Sequence, residues 1–88
     1  MSGVPDQYNI YPVPNQGLFT VSITTAIPEE YTIEVYDQMG RKTYGQPGIL
    51  INGEFRQEID LQQVPPGLYL VVMKSAQNVT SRKIEIIR

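Results

Sequence analysis

Eighty-eight residues and 10.0 kDa make one small domain, because a second core would leave each half near the ~40 residues below which chains need staples. Cysteine and histidine are both absent, which removes disulfides, thiolate and imidazole metal sites, and every nucleophile arrangement built on histidine. Seven Lys and Arg against nine Asp and Glu give a net charge of −2, without the basic excess that a phosphate backbone demands, so nucleic acid is not an expected partner.

The longest apolar run, Leu68 to Met73, is far short of the ~20 residues that span a bilayer as a helix. Met1 to Gln7 carries neither the basic nor the apolar region of a signal peptide, so the chain is expected to be either cytoplasmic or a fragment of something longer.

Seven glycines and seven prolines punctuate the chain at short intervals, and strands fit the gaps better than helices of about 11 residues. From Leu18 to Thr24, Phe19, Val21 and Ile23 alternate with Thr20, Ser22 and Thr24, the period of a strand buried on one face. Tyr31, Ile33 and Val35 repeat that rhythm, with Thr32 and Glu34 on the wet face. Asp37 to Gly40 reads as a type I turn closed by a left-handed glycine. Asn52-Gly53, between Ile49-Leu50-Ile51 and Phe55, predicts a two-residue hairpin, since both residues tolerate positive φ. Phe55, Gln57, Ile59 and Leu61 form the next inward row, and Pro65-Pro66-Gly67 stops that strand and opens another. Leu68 to Lys74 is apolar on both faces, as in a central strand, and its β-branched content argues against a helix. Ser75 to Asn78 supplies a polar hairpin tip before Val79 to Ile87, a last strand with a wetter face. The count comes to about seven strands, which predicts an all-β, immunoglobulin-like antiparallel β-sandwich without its cysteines.

Carboxylates are the remaining acid or base candidates. Glu34, Asp37, Glu58 and Asp60 could pair as a glycosidase dyad, yet each falls in a turn or on an alternating polar face, where solvated carboxylates belong. No dense calcium-loop pattern occurs either. Catalysis, metal, cofactor and small-molecule substrate are therefore all expected to be absent. Asn78-Val79-Thr80 matches a glycan-acceptor pattern, but three-residue patterns occur freely by chance and the preference of asparagine for turns is the better explanation of this one. Lys74, Arg82, Lys83 and Arg88 gather positive charge near the final hairpin, as a solvated face, a guard against edge pairing, or a recognition element.

The order of these blocks is itself informative. Asn9 to Val21 with Pro12, Pro14 and Gly17, then Asp37, Gly40 and Arg41, then Pro65, Gly67, Tyr69 and Val71, then Arg82-Lys83-Ile84 resembles the type A C-terminal sorting domain of cargo secreted by the type IX system of Gram-negative bacteria. The likeness runs from Asn9 to the end of the chain. Val13 replaces the usual asparagine of the first block and Val64 the usual leucine of the third.

That resemblance implies residues 9–88 as the sorting domain and residues 1–8 as a junction with the cargo or residues added in cloning. It implies a label for export, carried through the periplasm to the cell surface or medium and read by the outer-membrane translocon and sortase-like components, the latter commonly removing the domain from its N-terminal cargo. Lys83, Ile84, Ile86, Ile87 and Arg88 are the residues expected to meet the machinery, and Pro12, Pro14, Gly17, Asp37, Gly40, Arg41, Pro65, Gly67, Tyr69 and Val71 are expected to be mainly structural. Homodimerisation through a sheet edge is a further expectation to test. The rival reading is an immunoglobulin-like adhesion or spacer module, which would share the fold and differ in its place within the parent protein.

Overall fold

The computed structural model describes residues 7–76 and 79–87. Gln77 and Asn78 of the expected hairpin tip, the acceptor pattern on Asn78, Arg88, and residues 1–6 of the expected junction lie outside the described residues. Among the described residues there are five antiparallel strands: β1 (Gln7–Tyr11), β2 (Leu18–Tyr36), β3 (Lys42–Asp60), β4 (Gly67–Lys74) and β5 (Val79–Ile86). They form one curled sheet in the order β1-β2-β4-β5, with β3 also on β2. No helix occurs among the described residues.

The all-β expectation holds, but the count of seven is corrected to five. β2 and β3 each run for 19 residues, which at ~3.3 Å per residue would stretch to about 63 Å. The longest dimension of the molecule is 38 Å, so both strands must fold over. The turn at Asn52-Gly53 is corrected with it, because β3 passes straight through that pair. Thr25 faces Gly53 and the next partners are Glu29 and Ile51, so residues 26–28 of β2 lie opposite Asn52 alone. Gly53 takes φ +93° and makes a corner in the paired ribbon rather than a reversal of the chain.

Folding over lets the two halves of β2 contribute to one core. Phe19, Val21 and Ile23 from the first half meet Tyr31, Ile33 and Val35 from the second, together with Ile49, Ile51 and Ile59 of β3 and Tyr69, Val71 and Met73 of β4. β2 takes β1 as its second neighbour in the first half and β4 in the second. Glu34, expected on the wet face, does point outward but is buried.

The outer edges of the sheet approach one another. Arg82 of β5 donates from Nη2 to the Tyr8 carbonyl of β1 at 2.9 Å, and the Tyr8 hydroxyl donates to the Val71 carbonyl at 3.4 Å. Tyr8, assigned to the junction on sequence, belongs to β1 and to the core.

Candidate functional site

The turn joining β2 to β3 is built on one carboxylate. Asp37 Oδ1 accepts from the backbone N–H groups of Met39 and Arg41, both at 2.9 Å. Its Oδ2 accepts from Arg41 Nε at 3.0 Å. The Gly40 N–H closes the turn on the Asp37 carbonyl at 3.0 Å, with Gly40 at φ +82° as the left-handed reading requires. The Arg41 backbone N–H, helped by that of Met39 and by the Arg41 side chain, holds Asp37 below the usual carboxylate range. Asp37 is thereby committed to the turn, and Arg41 leaves it with an exposed side chain.

Across from this turn, the connection from β3 to β4 is tied down by Tyr69, whose ring is buried and whose hydroxyl donates to the Pro65 carbonyl. Gly67 enters β4 at φ +149°, and a Cβ there would lie 3.2 Å from Gln38 Nε2. Only a glycine lets this loop close on the turn without strain. Between the two loops runs an open groove of about 450 Å³, floored by Val64, Pro65, Pro66 and Leu68 and walled by Met39 and Arg41. It continues past Gln38 and Leu70 to Lys83 of β5.

A third block reaches the same end of the molecule. Asn15, buried among loop residues, uses its whole side chain: Nδ2 donates to the Pro12 carbonyl at 3.0 Å and Oδ1 accepts from the Gly17 N–H at 2.8 Å. Its backbone bridges β5, donating to Glu85 O at 3.1 Å and accepting from Ile87 N at 2.7 Å. Gly17 at φ +105° packs so tightly on Leu61 that a Cβ would sit 2.7 Å from the Leu61 carbonyl oxygen. Pro12 and Pro14, both preceded by cis peptide bonds, shape the loop exposed around it.

The outer face beside the groove carries a charged row across four strands. Lys42 of β3 is the partner of Tyr36 in β2, Tyr36 of Leu70 in β4, and Leu70 of Lys83 in β5. Beneath it, Glu34 accepts from Lys74 Nζ at 2.8 Å and from the Tyr36 hydroxyl at 2.7 Å, with Lys42 Nζ at a looser 3.5 Å. The hydrogen bond from Lys74, followed by that from Tyr36, lowers the Glu34 carboxyl to about 2. Glu34 is thus an ion-pair anchor between strands, with no acidic partner of the dyad kind among these contacts.

The sequence-selected residues divide sharply. Asp37, Gly40, Arg41, Pro65, Gly67 and Tyr69 build the groove, and Pro12, Pro14 and Gly17 frame the neighbouring loop. Val71 is pure core. Lys83 is exposed at the end of the groove and Ile87 is 43% exposed, whereas Ile84 and Ile86 are each 1% exposed and fill the core. At Glu85 to Ile87 the edge of β5 is already taken by Asn15. The sequence motifs do not single out Asn15, although an asparagine two residues before a glycine in a proline-rich loop is the signal of such a side-chain turn.

A family model described as a secretion system C-terminal sorting domain matches residues 9–87. No curated protein matches the chain.

Proposed function

The chain belongs to the secretion system C-terminal sorting domain family, and from that premise we propose that it is a non-catalytic address, fused behind a cargo and read by the type IX machinery at the outer membrane. The observation that carries this reading is the match over residues 9–87 together with where the motif residues fall. They build an open groove and its supporting loop at one end of the sheet, so the shared sequence features support a presented surface as well as a fold.

In this reading the domain travels folded through the periplasm, an outer-membrane translocon component engages the end that bears the groove, and a sortase-like peptidase then separates domain from cargo. No step asks the chain for an acid, base or nucleophile. The test is to attach the 88-residue chain behind a periplasm-targeted reporter in a bacterium that has the type IX system. The reporter should reach the surface or medium, and should stay in the periplasm in a strain lacking the translocon. Retention in both strains would sink the proposal.

A further inference from the structure

The charges around the groove do not balance, and their placement is regular. Asp37 is matched by Arg41 at 3.0 Å and Glu34 by Lys74 at 2.8 Å. That leaves Lys42, held only loosely at 3.5 Å, and Lys83, which has no ion-pair partner among the described residues, as the surplus cations. They stand at the two ends of the row Lys42, Tyr36, Leu70, Lys83. Three strand spacings of ~4.8 Å put them about 14 Å apart. Tyr36 and Leu70, the latter 38% exposed, lie between them, while Leu68, 43% exposed, sits two residues along β4, opposite Glu85, the acidic neighbour two residues from Lys83 on β5. This positive, apolar-centred strip sits on a chain whose net charge is −2.

We infer that this strip and the groove beside it bind an extended acidic peptide segment of the partner, with a carboxylate at each end and an apolar side chain between. The inference rests on the sorting role proposed above and names the chemistry of what reads it. An extended chain advances ~3.3 Å per residue and shows alternate side chains to one side, so acids at positions i and i+4 lie about 13 Å apart with position i+2 on the same face. That spacing matches Lys42 and Lys83, and position i+2 falls between Tyr36 and Leu70, within reach of the Leu70 side chain. Opposite charges at the ends fix register and speed encounter, while the apolar centre supplies contact area. Recognition by side chains also suits this surface better than strand addition at the end of β5, where Asn15 holds the backbone.

The experiment uses the whole chain and a labelled peptide, Ser-Asp-Ser-Leu-Ser-Asp-Ser, read by fluorescence anisotropy at low salt. Binding should weaken at least tenfold when both Asp are changed to Asn in the peptide, with the protein untouched, and should weaken steeply with added salt. Lys83→Glu should weaken binding about tenfold with an unchanged circular dichroism spectrum, and in that variant one of the two single Asp-to-Asn peptides should bind no worse than its parent. Equal binding of the Asp and Asn peptides, or additive losses showing no coupling between Lys83 and either acid, would overturn the inference. Export of the reporter by the unaltered chain is measured separately, so the sorting role can stand while this partner chemistry fails.

Discussion

The Arg82 guanidinium lies 5.1 Å from the centre of the Tyr8 ring and donates to the Tyr8 carbonyl at 2.9 Å. One side chain of the last strand therefore fastens the first. A cation over an aromatic face contributes about 0.5–1 kcal/mol at an exposed site, and a charged donor to a carbonyl adds about 1.5 kcal/mol or more. Arg82→Ala should cost roughly 1–2 kcal/mol after partial replacement by water, a drop of several degrees in Tm for a domain of this size. Arg82→Lys should restore part of it. Thermal melting of the three proteins checks this, and an unshifted Tm for the alanine variant would refute it.

Burial raises the Tyr8 hydroxyl to about 12, against a smaller lowering by Arg82. The unfolded chain ionises this group near its ordinary value of 10.0, so its contribution to stability is complete below pH 10 and is lost as pH rises from there toward 12. Denaturation titrations between pH 9 and 12 should show a falling midpoint that is blunted in Tyr8→Phe. A parallel fall in both proteins would contradict it.

Glu34 behaves in the opposite sense. Its carboxyl is lowered from 4.5 to about 2, chiefly by the hydrogen bond from Lys74, so its contribution is present above pH 4.5 and is lost as pH falls toward 2. Glu34→Gln should be less stable at pH 7 and should show a flatter acid limb over that window. Chemical denaturation at a series of pH values reads both effects together.

Two glycines of positive φ make a controlled comparison. Gly17, at φ +105°, would place a Cβ 2.7 Å from the Leu61 carbonyl oxygen, while Gly40, at φ +82°, has open space there. Gly40→Ala should cost about 1–2 kcal/mol, the ordinary penalty of a left-handed residue. Gly17→Ala should cost clearly more, because backbone must move as well. Equal losses in urea denaturation would mean that the Leu61 contact carries no weight.

The final strand allows fold and recognition to be separated. Ile84→Ala empties a fully covered core site and should cost about 2–5 kcal/mol, whereas Lys83→Ala, on the exposed face, should stay within about 0.5 kcal/mol. In the export assay both should reduce surface delivery of a fused reporter, with Lys83→Ala alone keeping a native spectrum. Full export of the lysine variant would count against the groove. Deleting residues 83–88 answers less, since it also strips Ile84 and Ile86 from the core.

Much of this architecture is written in local pattern. The rows Phe19-Val21-Ile23 and Tyr31-Ile33-Val35 are buried as their alternation requires, and the turn at Asp37 closes with the hydrogen bonds its residue types predict. Asn52-Gly53 misleads because positive φ serves a corner as well as a reversal, and the choice depends on the extra β2 residues 26–28 opposite it. Pairing across such a distance leaves no trace in a short window. Glu34 shows the same limit: alternation assigns its face, but Lys42, Lys74 and Tyr36 decide its burial. The groove is the least legible feature, because three separated blocks meet only once register is fixed.

The fold-over of β2 and β3 has a mechanical side. The same two strands thread both halves of the sheet, so neither half can be peeled away while the other stays whole. Under load the long ribbon of β2 and β3 should yield as one unit, whereas β1, paired along β2 alone over five residues, is the strand that can leave ahead of it.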